Sequence, residues 1–194
     1  MKKIYIIHGW GGSSSKDWIP WATEAFRERG YEVIAPDMPK SNWPQIGKWT
    51  RHLESIAPDL DQDTYFIGHS IGCQAIMRFL EKQDTAIGGA VFVSGFFELK
   101  FGALPFPKNI FAKIIARPWI ETPVDFEKLR KLIPYSVSML SDNDPFVAYG
   151  KAKEGFEQKL SSETITLPFA GHITKEDGFG AFPQLLETFT DKFE

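Results

Sequence analysis

A chain of 194 residues, 43% hydrophobic and 24% charged, is long enough to bury a real core and fits one domain spanning 1–194. That balance excludes a disordered, collagen-like or coiled-coil protein. A net charge of −3, with only the isolated basic pairs Lys2-Lys3 and Arg130-Lys131, gives no field that attracts nucleic acid.

The first apolar run, Ile4 to Ile7, is too short for the core of a signal peptide and reads as a strand. It ends in the glycine-rich turn His8-Gly9-Trp10-Gly11-Gly12. Trp18, Trp21, Ala22, Ala25 and Phe26 follow at helical spacing, then a strand from Glu32 to Ala35. A second helical stripe comprises Trp43, Ile46, Trp49, Leu53 and Ile56. Thr64 to Ile67 is a strand, and Cys73 to Lys82 reads as a helix that begins just after Ser70. Further strands are expected at Gly89 to Val93, Tyr135 to Leu140 and Thr164 to Leu167. Runs that are apolar nearly throughout are covered on both faces, as in a parallel sheet. Strands alternating with helices predict an α/β fold: a three-layer α/β/α sandwich of about six mostly parallel strands.

The segment 96–134 breaks this rhythm. It has no convincing strand, many apolar residues and three prolines, Pro105, Pro107 and Pro118, which argue against one regular helix laid on the sheet. A connection this long is expected to serve as a lid-like insertion, with Phe106, Phe111 and Trp119 walling a substrate pocket; core and subunit interface are the alternatives. Exposed, such residues would make a patch larger than a monomer normally shows.

Gly68-His69-Ser70-Ile71-Gly72 matches G-x-S-x-G between a strand and a helix, the setting of a nucleophile elbow. Three letters of that kind recur by chance; the strand, sharp turn and helix around them make the match specific. Ser70 needs a general base. Of the four histidines, His69 adjoins the nucleophile, His52 lies beside an apolar helical stripe, and His8 is placed to shape the glycine turn. His172 follows the last strand-like run in a loop at a strand's carboxyl end, where α/β sheets assemble their sites. The acid should come from Ser141-Asp142-Asn143-Asp144-Pro145-Phe146, where Asp142 and Asp144 compete evenly on spacing. Asp144-Pro145 also reads as the N-cap and first residue of a helix from Phe146 onward. Asp37 follows a strand as well but precedes Ser70, against the chain order Ser, Asp, His. Backbone N–H groups of Trp10 and Ile71 are the natural oxyanion donors. The glycine turn lacks G-x-G-x-x-G and Gly-Lys-Ser/Thr, and no H-E-x-x-H occurs, so no nucleotide cofactor and no metal is expected.

With these residues in place the chain resembles the α/β-hydrolase superfamily and, more narrowly, the small serine hydrolases related to retinoblastoma-binding protein nine. The resemblance rests on Gly9 to Gly12, Asp37-Met38-Pro39, Ile67-Gly68-His69-Ser70, Met77-Arg78, Val93-Ser94, Arg117-Pro118-Trp119, Asp144-Pro145-Phe146 and Gly171-His172. It implies that the aspartate before proline, Asp144, is the acid, and that the sheet is minimal with no separate cap domain. Two departures stand out: Ala148 replaces a proline common among relatives, and Phe101 to Ala116 is longer.

The expected activity is hydrolysis of a small ester or thioester through an acyl-enzyme on Ser70. An amidase or peptidase acting on small apolar or aromatic substrates, and a non-catalytic binding module on the same fold, are the rivals. Cys73 is the sole cysteine, which suits a reducing, cytoplasmic setting, and no apolar run nears the ~20 residues of a membrane helix. The expected partner is a small-molecule ester or amide substrate, with no nucleic acid and no membrane.

Overall fold

In the computed structural model, which describes residues 1–102 and 104–194, six strands form one parallel sheet in the order β2-β1-β3-β4-β5-β6. They are β1 (Lys3–Ile7), β2 (Glu32–Ile34), β3 (Thr64–His69), β4 (Gly89–Val93), β5 (Ser136–Ser141) and β6 (Glu163–Leu167). The central strands β3, β4 and β5 are buried at every residue, as their unbroken apolar or small-residue runs require. Alternation along them sorts the core into two halves. Ile4, Ile6, Ile67, Val91 and Val93 meet α1 (Ile19–Glu28) and α7 (Pro183–Phe193) on one face. Tyr5, Ile7, Phe66 and Phe92 meet α2 (Ile46–Ile56), α3 (Ile71–Leu80) and α6 (Tyr149–Leu160) on the other. The expected three-layer α/β architecture is therefore the one formed.

The strand order reverses direction at β1, which has β2 on one side and β3 on the other. Ile7 pairs with Gly68, so the two strands end level and their following loops emerge side by side. Such a switch point opens a crevice above the sheet, where ligands bind in open α/β folds.

The segment 96–134 differs from its reading in the sequence. One helix, α4 (Lys108–Glu121), runs through Pro118, and a short α5 (Phe126–Leu132) follows. The carbonyl that Pro118 deprives of its helical partner belongs to Ile114, which lies on the exposed side of the helix. Trp119, expected to wall a pocket, is core: it is 1% exposed, packs edge-on against Trp49 and donates its indole N–H to the Pro44 carbonyl. Phe106 is also corrected, being 79% exposed and outside the cavity wall. Trp43 is not part of the α2 stripe, since it precedes the helix and is itself exposed. The helix expected from Phe146 begins three residues later, because the intervening backbone turns around the Asp144 side chain.

Candidate active site

Ser70 stands between β3 and α3 with φ +53 and ψ −119, a conformation that non-glycine residues adopt only when their surroundings impose it. Its N–H is held by the Val93 carbonyl at 2.8 Å. The glycines on either side are required by close approach. A Cβ on Gly68 would come within 2.8 Å of the Cys73 nitrogen, and one on Gly72 would overlap the Ile7 carbonyl oxygen. The bend therefore presents Ser70 at the carboxyl edge of the sheet, at the N-terminus of α3.

Beside it lies the glycine turn after β1. Buried His8 donates Nδ1–H to the Gly9 carbonyl at 2.7 Å and accepts the Met38 N–H at Nε2, 2.8 Å away, which fixes the neutral tautomer. Burial pushes its pKa down, in keeping with that role. The Gly11 N–H bonds to the Ser41 carbonyl, the Trp10 indole N–H bonds to the Asn42 carbonyl, and Asp37 accepts the Ser14 N–H at 2.7 Å. Asp37 thus anchors this turn and takes no part near His172. Among the described residues, the backbone N–H groups of Trp10 and Ile71 make no hydrogen bond.

His172 comes from the loop after β6. Its Nδ1–H donates to Asp144 Oδ2 at 2.7 Å, while Asp144 Oδ1 accepts the N–H groups of Phe146 and Val147. Asp144 is 1% exposed, so these three donors answer almost all of its hydrogen-bonding capacity. With its proton on Nδ1, His172 keeps the Nε2 lone pair free. Asp142, the rival on spacing, accepts the Phe169 N–H at 2.8 Å instead. Ser70 and His172 line one cavity, with no direct hydrogen bond between their side chains among the described residues. Such bonds often tighten only when substrate arrives.

Four residues have supporting roles that sequence reading did not give them: Asp177, Asn143, His69 and Ser94. Asp177 Oδ2 accepts the His172 N–H, the Thr174 N–H and the Thr174 hydroxyl, which pins the loop. The spacing Thr174-x-x-Asp177, a capping box around the 3₁₀ turn Lys175–Asp177, was its available signal. Asn143 accepts from the Gly171 N–H and the Ser141 hydroxyl, tying the Asp144 loop to the His172 loop. His69 donates Nε2–H to the His172 carbonyl at 3.0 Å, and the Ser94 hydroxyl donates to the same oxygen.

Burial first, and neighbouring His172 second, push the pKa of His69 down to about 4. An unfolded histidine titrates near ~6.5. The folded value lies below the unfolded one, so in that window the unfolded chain takes up a proton that the folded chain excludes. Stability is therefore expected to fall as pH drops from ~6.5 towards 4. Buried His8 adds a loss of the same sign. Thermal melting followed from pH 7 to pH 5 should show this decline, and His69→Gln should make it shallower. A melting temperature that holds steady over this range would contradict burial of neutral histidine at these sites.

Among the described residues, no group of three or more His, Cys, Asp or Glu side chains could hold a metal ion, and no helix is long and apolar enough to cross a membrane.

Comparison with known proteins bears on this geometry. Residues 4–191 match the family model described as serine hydrolase. The chain is 26% identical over 194 residues to YdeN of Bacillus subtilis, covering 99% of this chain and 96% of YdeN. It is 24% identical over 174 residues to the serine hydrolase RBBP9 of Rattus norvegicus, covering 88% and 87%. The crystal structure of the B. subtilis ydeN gene product superposes with a TM-score of 0.86 at 27% identity, covering 98% of each chain.

Proposed function

The chain belongs to the serine hydrolase family, and within it we propose that the protein hydrolyses an ester or thioester through an acyl-enzyme on Ser70. In this reading His172 Nε2 removes the Ser70 proton as Oγ attacks the carbonyl carbon, and the tetrahedral oxyanion forms against the N–H groups of Trp10 and Ile71. Asp144 holds the imidazole in the required tautomer and stabilises the imidazolium. Its proton then passes to the leaving alcohol or thiol, which departs and leaves the acyl group on Ser70. Water, deprotonated by the same nitrogen, completes hydrolysis and restores the serine. The observation that carries the proposal is the 2.7 Å bond from His172 to buried Asp144, in a cavity shared with strained Ser70.

The cavity also speaks to substrate size. Its volume is about 1310 Å³, above the ~300–1,000 Å³ usual for small-ligand sites. Phe96, Phe101, Leu104, Phe111 and Ile115 line it together with Trp10, Trp21 and Trp43, so the 96–134 segment supplies much of the apolar lining even though Phe106 and Trp119 do not. Medium-length acyl chains should be favoured, because each buried methylene contributes roughly 0.8 kcal/mol, or up to about fourfold in kcat/KM. A series of p-nitrophenyl esters from acetate to octanoate is expected to show rising kcat/KM, flattened by Phe101→Ala with Phe111→Ala. A steep fall beyond acetate, indifferent to those substitutions, would mean that the acyl group binds elsewhere.

A further inference from the structure

Two stretches singled out in the sequence, Met77-Arg78 and Arg117-Pro118-Trp119, meet inside the protein and take no part in the chemistry described so far. Gln74 and Arg78 lie about one turn apart on α3, the helix that begins at the nucleophile, and are 3% and 2% exposed. Arg78 Nη2 donates to the carbonyls of Trp119 at 2.8 Å and Thr122 at 2.7 Å, and Nη1 donates to Gln74 Oε1 at 2.9 Å. Gln74 in turn donates its side-chain N–H to the Phe96 carbonyl at 2.6 Å. A buried chain of hydrogen bonds therefore joins the first residue of the 96–134 segment to the end of α4, and every link passes through α3.

Filling space does not account for a guanidinium in this place. Burying a cation is costly, and apolar side chains of similar volume often replace buried ions with no loss of stability. The partners of Arg78 are a side-chain amide and two backbone carbonyls rather than a carboxylate. Both carbonyls belong to the C-terminal end of α4, where the last turn has no helical donors left and the helix dipole is negative. The cation thus holds one end of α4, and Gln74 holds the start of the segment that leads into it. The chain between these anchors, Phe96 included, brings Phe111, Ala112, Ile115 and Ala116 to the cavity lining. We propose that Gln74 and Arg78 are positioning residues that fix α4 against the cavity and so set its preference for longer acyl groups, without touching the reacting atoms. This rests on the reading of the cavity as the acyl site.

Hydrogen exchange of the full chain, followed by mass spectrometry, tests the clamp without any substrate. Peptides covering Lys108–Glu121 are expected to exchange about tenfold faster in Arg78→Met, while those covering β3 and β4 keep their wild-type rates. In parallel, the ratio of kcat/KM for p-nitrophenyl octanoate to that for the acetate should fall about tenfold, with the loss in KM. Arg78→Lys, which keeps the charge and can still reach one carbonyl, should lie between wild type and Arg78→Met in both measurements. Should Arg78→Met not fold, Arg78→Lys and Gln74→Met carry the same comparison at smaller amplitude. Exchange that rises equally in α4 and the sheet would overturn the proposal in favour of a purely structural cation. Unchanged exchange in α4, or an unchanged ratio of the two esters, would overturn it as well. A wild type with no preference for octanoate would overturn the acyl reading of the cavity, and the selectivity inferred here with it, whatever the exchange of α4.

Discussion

Ser70→Ala and His172→Ala are each expected to lower kcat by ~10³-fold or more while leaving the fold intact. Neither change should disturb the architecture. Alanine keeps the Cβ that Ser70 already carries at φ +53, so the bend gains no new strain. At His172 the bonds from His69 and Ser94 go to the backbone carbonyl, and Asp177 holds the backbone N–H, so the loop keeps its anchors without the ring. Members of such a set act as a unit, and the double variant should be little worse than either single one. Near-normal turnover by either folded variant would remove that residue from the mechanism.

Asp144→Asn is expected to cost on the order of 10⁴-fold in kcat, whereas Asp142→Asn should cost little. An asparagine at 144 can still accept the Phe146 and Val147 N–H groups through its amide oxygen, so the turn persists. What it lacks is the charge that stabilises the imidazolium, and its NH₂ facing Nδ1 would favour the wrong tautomer. Asp142 meets only the Phe169 N–H, a bond that an asparagine oxygen also accepts. Assaying the two purified variants side by side ranks them directly, and the reverse order would identify Asp142 as the acid.

The difference between these aspartates shows where sequence reasoning ran out. Both lie in one loop after β5, and spacing along the chain cannot say which carboxylate turns towards a histidine 28 residues later in sequence. Resemblance to a family selected Asp144; the backbone turn around its Oδ1 is the physical reason that its other oxygen is aimed at His172. The elbow was readable because its requirements are local: a β-branched strand, glycines where backbones approach, and a helix directly after. The sheet was readable for a similar reason, since runs buried on both faces leave a one-dimensional signature. The 96–134 segment was not, because its prolines were weighed as helix breakers. Pro118 frees only the carbonyl of exposed Ile114, and its neighbour Trp119 has the same apolar character whether it lines a pocket or fills a core. Only the helical phase of α4 separates Trp119, turned inward, from Ile110 and Ile114, turned outward.

The most direct test of the central claim is covalent labelling by a fluorophosphonate, read by intact mass and peptide mapping. The probe reacts with a serine only when a base activates it and an oxyanion site receives the phosphoryl oxygen. The expected result is one adduct per chain, mapped to Ser70, absent in Ser70→Ala and formed much more slowly in His172→Ala. An unlabelled wild-type protein, or an adduct on any other residue, would contradict Ser70 as the nucleophile.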